Sequence, residues 1–256
     1  MSFDSIPLPL VLLATLGLVL LALHAGASVG MRRVAQGKGK LEVAGPMVGA
    51  TMGLLAFMLA FTFNAAATRH EARKALVIEE ANAIETTWLR AGFLAEPSRT
   101  DMRGLLRDYV GVRVKVALYE IDLNEGLHQS DQLQDRMWAL ALENGRREPS
   151  SIVLGLFTES LNEVIDLHLE RLTVSIRARV PMPTWVTLYV LMVIGMSMVG
   201  LQIGHGGGRH FGLELALAAS FSVVLLMIAD LDRPQQGLVR VSQQAMSELQ
   251  SKLERR

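Results

Sequence analysis

The sequence predicts an all-α membrane protein with four transmembrane helices and a helical extramembrane insert between the second and third. Half of the 256 residues are apolar and the mean hydropathy is +0.31, values ordinary for a membrane protein with a soluble insert. Four nearly uncharged stretches are each long enough to cross a hydrocarbon core of about 30 Å at about 1.5 Å per helical residue. Most charged residues fall between the second and third stretches, with helical periodicity.

These stretches divide the chain into four parts. Residues 1–68 hold the first two spans, residues 69–180 the helical extramembrane domain, residues 181–230 the last two spans, and residues 231–256 a polar tail. Alternation of apolar and polar residues with a period of two is not sustained anywhere, so no sheet is predicted.

The second span, residues 44–68, organises the rest of the chain. Its 25 residues include no Asp, Glu, Lys or Arg. It continues without glycine or proline into the charged helical stretch 69–90. One uninterrupted helix is therefore predicted to join a membrane-spanning part to a soluble part.

Breaks in the insert predict three further helices. An Ala-Glu-Pro-Ser sequence ends the long helix, and Ser98 is predicted to cap the next one, with Asp101 as its reciprocal partner. A helix over 131–143 is predicted to stop at Asn144 and the glycine after it. A final amphipathic helix is predicted over 152–179.

The distribution of basic residues bears on orientation in a plasma (inner) membrane. Arg32 and Arg33 follow the first span in a predicted loop over residues 30–43. Short loops rich in Lys and Arg are typically cytoplasmic, whereas long segments cross regardless of charge. This count favours an insert outside the cytoplasm, although basic residues also flank the insert: Arg69, Arg73, Lys74, Arg177 and Arg179.

Composition and motifs exclude several function classes. The chain has 25 basic and 25 acidic residues, whereas nucleic-acid binders are basic. It has no cysteine, so disulfides and thiolate chemistry are excluded. The sequence contains no nucleophile–base constellation, metal-ligand spacing or nucleotide fingerprint. We therefore predict no enzyme activity, cofactor or metal, and no nucleic-acid partner.

One narrow face of the second span is a candidate pore lining. Its residues recur at spacings of four, four, three and four: Gly53, Phe57, Phe61, Asn64 and Thr68. In a ring of identical helices, the two phenylalanines would form an apolar constriction and Asn64 a polar ring. Alternatively, the same stripe packs on neighbouring helices, with Asn64 hydrogen-bonded between them.

Basic residues directly follow this face. Repeated around a ring, Arg69, Arg73 and Lys74 would concentrate anions at a pore mouth. They are equally well interpreted as interfacial anchors.

Acidic residues in two segments predict a junction between the membrane-spanning part and the insert. One segment continues the second span, and the other ends the fourth span. The candidates are Glu79, Glu80, Asp230, Asp232 and Arg233. They could form a buried ion-pair network, or their oxygens could hold Ca²⁺. Ion pairing is favoured because no segment has the spacing of a calcium-binding loop.

Two weaker patterns have simpler interpretations. Glu163, Asp166 and Glu170 share a helix face near His168, which could bind Zn²⁺ or act in acid–base chemistry. On a long charged helix, a solvated face is favoured. The glycine-rich loop 205–210 lacks the context of a phosphate-binding loop, so a flexible turn is predicted.

Several stretches resemble the bestrophin-like family of bacterial membrane proteins, over about residues 40 to 250. They are residues 53–94, 96–110, 159–168 and 230–243, and the most specific are EANAI at 80–84 and DLDRP at 230–234. The resemblance implies a distant relation to bestrophins, which are pentameric chloride channels lined by the second transmembrane helix. Bestrophins keep their large non-membrane part in the cytosol, which opposes the charge count above.

The first hypothesis is a homo-oligomeric, bestrophin-like ion channel that conducts anions through a pore lined by the second span. Its implied partners are the lipid bilayer, further copies of itself (five, if it follows the bestrophins) and small inorganic ions. The alternative is a non-conducting membrane scaffold or sensor whose helical insert binds a partner.

Overall fold

The computed structural model describes residues 6–37, 44–174, 179–206, 211–233 and 237–256, which form eight α-helices and no strand. In chain order the helices are α1 Leu8–Ala35, α2 Ala44–Ala91, α3 Ser98–Ala117, α4 Leu123–Arg147, α5 Ile152–Leu172, α6 Met182–Gly206, α7 Phe211–Asp232 and α8 Gln244–Glu254. Helices α1, α2, α6 and α7 are long and apolar enough to cross a membrane. The predicted all-α, four-span architecture is confirmed.

The chain divides into two compact units. The membrane unit comprises Met1–His70 and Arg179–Arg240, and the insert unit comprises Glu71–Ala178 and Val241–Arg256. Helix α2 runs without a break for 48 residues and contributes to both units. The continuous helix predicted from the absence of glycine and proline is confirmed.

In the membrane unit, α1 and α6 pack backbone against backbone at glycines. A Cβ atom on Gly26 would lie less than 3.0 Å from the backbone of Ser197, and one on Gly200 would meet the backbone of Leu23 equally closely. Close packing of this kind holds helices together in lipid, where burial of apolar surface gives little driving force. These glycines therefore fix the spacing of α1 and α6.

The insert unit has its own hydrophobic core, to which the C-terminal helix α8 belongs. Met246, Leu249 and Leu253 of α8 are buried. They join a cluster of buried residues from α2, α3, α4 and α5 that includes Trp88, Met102, Leu106, Met137, Phe157 and Leu161. The end of the polar tail is thus part of the insert's core.

Helix α1 continues into the segment predicted to be a loop over residues 30–43. It ends at Ala35, with Arg32 and Arg33 in its last turn. Basic side chains in that position interact favourably with the helix dipole. Gly30, the first residue of the predicted loop, packs against Gly204 of α6. The rest of the predicted loop, residues 38–43, lies outside the described residues.

The predicted capping box at Ser98 is wrong. Pro97 occupies the N-cap position, and no side chain caps it. The Glu96 carboxylate instead accepts hydrogen bonds from the backbone N–H and the hydroxyl of Thr100, at 3.2 and 2.8 Å. Ser98 is buried, and its Oγ accepts a hydrogen bond of 3.1 Å from Asn144 Nδ2.

The helix predicted over 131–143 is longer at both ends. Asp122 caps α4 by accepting a hydrogen bond from the backbone N–H of Asn124. Asn144, predicted to stop the helix, lies within it, because its side chain donates to Leu140 O at 2.8 Å as well as to Ser98. These two bonds offset the poor helix propensity of asparagine.

Helix α5 ends at Leu172 rather than at Arg179. Residues 175–178 lie outside the described part of the chain. Arg179 and Val180 are not helical, because both bond to Asp232: Arg179 Nη1 donates to its carbonyl oxygen at 2.8 Å, and Val180 N–H to its carboxylate at 2.9 Å.

Candidate functional site

All five residues of the candidate pore face are exposed in a single copy of the chain: Gly53, Phe57, Phe61, Asn64 and Thr68. Phe57 and Phe61 are 64% and 67% exposed, and their rings stack with centroids 6.3 Å apart. The opposite side of α2 is buried, through Leu55, Leu59 and Ala66. Within one copy, the membrane unit therefore leaves the predicted face of α2 uncovered.

The three basic residues predicted at the pore mouth have different surroundings. The Arg69 side chain is 28% exposed, and its Nη1 lies 4.0 Å from Asp232 Oδ1 in the membrane unit. Arg73 is only 2% exposed. Lys74 is half exposed, with its Nζ 4.0 Å from the carboxylate of the exposed Glu71.

Asp230, near the end of α7, binds the backbone of the segment that follows this helix. Its carboxylate is buried and accepts hydrogen bonds from the backbone N–H groups of Leu238 and Val239, at 2.7 and 2.9 Å. A Cβ atom on Gly237 would collide with this carboxylate, so a larger residue there would have to displace the Asp230 side chain. A buried carboxylate needs such donors, because leaving it unpaired would cost several kcal/mol.

Asp232 and Arg233 connect the ends of all four spans within the membrane unit. Asp232 lies beside Arg69 of α2 and bonds to Arg179 and Val180, which precede α6. Arg233 Nη2 donates a 2.7 Å hydrogen bond to the carbonyl oxygen of Ile6, just before α1. Since Asp232 is the last residue of α7, the sequence Asp-Leu-Asp-Arg at 230–233 fixes one end of the four-helix arrangement.

Glu80 forms a second, separate charge cluster inside the insert unit. Its side chain is fully buried. One carboxylate oxygen lies 3.1 Å from Arg113 Nε, and the other is paired with Arg171. Tyr109 donates a 2.9 Å hydrogen bond to the carboxylate. Arg171 also donates to the side-chain oxygen of Gln243 at 3.1 Å, which connects the segment before α8 to the cluster.

Glu80 is ionised within this cluster. Burial by itself would raise the pKa of the carboxyl group, but the positive charges of Arg113 and Arg171 and the hydrogen bonds from Arg171 and Tyr109 lower that pKa to about 2. Two cations and one anion are thus held together in the core. Removing one member of such a set leaves a buried charge uncompensated.

Tyr109 connects Glu80 to His168. The tyrosine oxygen lies 3.0 Å from His168 Nδ1. Because the single hydroxyl proton is donated to the Glu80 carboxylate, Nδ1 must carry the proton in the second bond. Burial, followed by the charge of Arg113, lowers the pKa of His168 to about 4. His168 is therefore a neutral structural residue near pH 7, with its Nε2 3.8 Å from Asp131.

These positions bear on the metal-binding alternatives. Glu163, Asp166 and Glu170 are exposed, whereas the His168 side chain points into the core. Among the described residues there is no group of three or more His, Asp or Glu side chains placed to hold a metal ion. Glu79 is exposed, in contrast to its neighbour Glu80. Residues 207–210 of the glycine-rich loop lie outside the described ranges.

The sequence alone does not predict that Glu80 is paired with Tyr109, Arg113 and Arg171. Tyr109 lies on the apolar face of α3 and is completely buried. Arg113 follows it by four residues and so falls on that same face. A basic residue on an otherwise apolar face is the signal that could have predicted a buried acidic partner.

Comparisons with known proteins agree on the fold. A family model described as the bestrophin-like domain matches residues 11–246. A crystal structure of a bacterial bestrophin homologue from Klebsiella pneumoniae, carrying one mutation, superposes with a TM-score of 0.67 at 13% identity, over 96% of this chain and 99% of the other. No curated protein sequence matches the chain.

Two further crystal structures, each of a membrane protein, superpose similarly. Their TM-scores are 0.63 and 0.61, both at 14% identity, over 96% and 94% of this chain and 97% and 95% of the others. Identities this low establish a shared fold only.

Proposed function

The chain belongs to the bestrophin-like family, and we propose on this premise that it is a homo-oligomeric ion channel whose pore is lined by the exposed face of α2. Membership of this family and the shared fold support a channel-like membrane protein. The proposal depends mainly on one observation: the five residues of the predicted pore face are all uncovered, while the opposite side of α2 is buried.

The chemistry of this face suits a gated pore. Around a common axis, Phe57 and Phe61 would form successive apolar rings, and hydrophobic constrictions control conduction by dewetting. Asn64 and Thr68 would follow as weakly polar rings. The stacked phenylalanines lie one helical turn apart, so a small rotation of α2 would change both rings together.

The proposal also includes the conducted ion and the orientation in the membrane. The relation to bestrophins favours anions, so chloride is the first ion to test. We propose the plasma membrane as its location, because the resemblance is to bacterial membrane proteins. The charge count favours an insert outside the cytoplasm, whereas the bestrophin relation favours an insert in the cytosol. A reporter fused after Arg256 discriminates between these two orientations.

Flux through reconstituted liposomes tests the channel. Purified protein should raise ion flux above that of empty liposomes, and Phe61→Ala should increase it several-fold by widening the constriction. Phe63→Ala is the matched control, because Phe63 lies on the same helix and is partly exposed but is about 160° from Phe61 around the helix axis. Equal effects of the two substitutions would contradict a pore lining by this face.

One observation favours the scaffold alternative. The insert unit exposes large apolar side chains, including Phe93 at 68% and Ile152 at 81%, and apolar surface of this kind can bind a partner protein. A monomer or dimer by mass measurement in detergent, together with flux no greater than that of empty liposomes, would support a scaffold instead of a channel.

A further inference from the structure

We propose that the end of the α1–α6 contact binds an anionic phospholipid, with Arg33 and His205 at the headgroup phosphate and an acyl chain along an exposed apolar stripe of α1. The inference goes beyond the proposed function, because it requires only that α1 and α6 span the bilayer. It holds whether or not the protein conducts ions. All of the residues involved belong to the membrane unit.

The first observation is where Arg33 and His205 lie along the contact between α1 and α6. Gly30 of α1 is closely packed against α6: a Cβ atom added there would lie 2.5 Å from Leu201 O and 3.0 Å from Gly204 Cα. Arg33 follows Gly30 by three residues. His205 follows Leu201 by four. Each separation is about one helical turn, so both side chains come just after the point where the two backbones touch.

The second observation is that both side chains have a buried nitrogen atom without a partner. These atoms are Arg33 Nε and His205 Nε2. His205 Nδ1 lies 2.8 Å from the carbonyl oxygen of Leu201, and because a carbonyl only accepts, Nδ1 carries the proton. A second proton, on Nε2, makes this atom a donor to an anion. Buried polar groups are normally hydrogen-bonded, so two unpaired nitrogen atoms at one place point to a ligand that pairs with them.

The third observation is that the basic groups here are not paired with acids. Arg32 and Arg33 are in the last turn of α1, and Arg32 is exposed. Among the described residues, no carboxylate lies within ion-pair distance of Arg32, Arg33 or His205. Glu214, in the first turn of α7, is buried and interacts with other groups. A guanidinium that no carboxylate holds can offer two N–H groups to one phosphate, the bidentate arrangement that arginine favours.

The fourth observation favours a lipid over a free phosphate. An exposed apolar stripe runs along α1 and leads to Arg33 at spacings of three and four: Leu18, Leu21, Ala25 and Val29. From Leu18 to Val29 the stripe is about 16 Å long, close to half of a hydrocarbon core of about 30 Å. It therefore has the length of one leaflet, with basic groups at the end where headgroups lie.

The charge of the site selects among phospholipids. Basic pockets between spanning helices bind acidic headgroups. A zwitterionic headgroup carries a compensating positive charge, which Arg32 and Arg33 repel. A headgroup with net negative charge is therefore favoured, by roughly fivefold in affinity for each arginine near the surface. The site thus predicts a preference for phosphatidylglycerol over phosphatidylcholine.

Native mass spectrometry and thermal unfolding of the full chain in detergent test the inference. Dioleoylphosphatidylglycerol should bind more tightly than dioleoylphosphatidylcholine and raise the unfolding temperature further. Arg33→Gln should weaken phosphatidylglycerol binding roughly fivefold and leave phosphatidylcholine binding unchanged, whereas Arg33→Lys, which keeps the charge, should retain most of the preference. Arg240→Gln is the matched control, because Arg240 is an exposed arginine of the membrane unit at the opposite end of the spans, and both affinities should stay unchanged.

Further measurements separate the headgroup from the acyl chain and from phosphate in solution. His205→Gln should weaken phosphatidylglycerol binding less than Arg33→Gln, because a histidine offers one N–H to the phosphate and an arginine two. Leu21→Ser removes apolar surface from the stripe without changing charge, so it should weaken both lipids to the same degree. Inorganic phosphate and glycerol 3-phosphate should not stabilise the protein at concentrations where the lipid does, because they lack the chain.

Several outcomes would overturn the proposal. One is equal affinity of the wild-type protein for the two lipids, and another is an unchanged preference in Arg33→Gln. A fall in the unfolding temperature of Arg33→Gln that is the same with either lipid and without lipid would assign Arg33 a structural role only. Stabilisation by inorganic phosphate equal to that by lipid would assign the site to free phosphate. A smaller oligomer for Leu21→Ser, with unchanged lipid binding, would assign the stripe to a contact between copies.

Discussion

Among single residues, Glu80 is the one whose substitution we expect to reduce stability most. Glu80→Gln leaves Arg113 and Arg171 buried without an anion, and breaking a buried pair in this way costs about 3–5 kcal/mol. We expect a clear fall in the unfolding temperature of the detergent-solubilised protein. Glu79→Gln, one residue away and exposed, should change stability by no more than about 0.5 kcal/mol. Similar unfolding temperatures for the two variants would show that the cluster does not stabilise the insert.

His168 makes stability depend on pH in a defined direction. Its pKa in the folded protein is about 4, below the ordinary value of 6.5, so the folded state binds fewer protons than the unfolded state between these values. Stability should therefore fall as the pH drops from 6.5 towards 4. Above pH 4.5, Glu80 adds little to this loss, because its carboxyl is ionised in both states.

Thermal unfolding between pH 6.5 and 4.5 measures this dependence. His168→Gln should flatten the decline, since it removes the titrating imidazole. His128→Gln, at an exposed position on α4, should keep the wild-type slope. A variant at position 168 that declines as steeply as wild type would assign the acid sensitivity to other groups.

Among the elements, α1 and α6 depend on glycine for their close approach. Gly26→Ala adds a Cβ that would overlap the backbone of α6, and the helices must separate to relieve it. We expect lower thermal stability in detergent and less folded protein recovered from membranes. Gly17→Ala is the control, because nothing lies within 4 Å of a Cβ added at Gly17 of the same helix. Equal effects of the two substitutions would contradict this packing role, because alanine favours the helix over glycine at both positions and only an added Cβ at Gly26 meets the backbone of α6.

The elements also show what a sequence can and cannot predict. Length and hydropathy identify the four spans because lipid requires a long uninterrupted apolar helix. The ends of the helices are harder to predict, since they depend on contacts between residues that are distant in sequence. Asn144 stays helical because its side chain bonds to Ser98 of α3, and Arg179, predicted to be helical, instead bonds to Asp232 of α7.

For the whole molecule, the candidate site is predictable only in part. The pore face is predicted from the spacing of residues within one helix, and this spacing can be taken directly from the sequence. The Glu80 cluster unites residues from α2, α3 and α5, and their meeting depends on tertiary packing that no local pattern records. Glu80 pairs within the insert unit and Asp232 within the membrane unit. The positions of the acidic residues along the chain do not predict this separate pairing.

The bond between Arg233 and Ile6 has a consequence for biosynthesis. Its two residues are 227 positions apart, and Asp230 takes its donors from Leu238 and Val239, which emerge later still. The start of the first span therefore cannot be bonded in this way until the chain has been synthesised past residue 233. Contacts between residues distant in sequence form slowly, so we expect nascent chains that stall before residue 230 to lack these bonds and to be more sensitive to proteolysis.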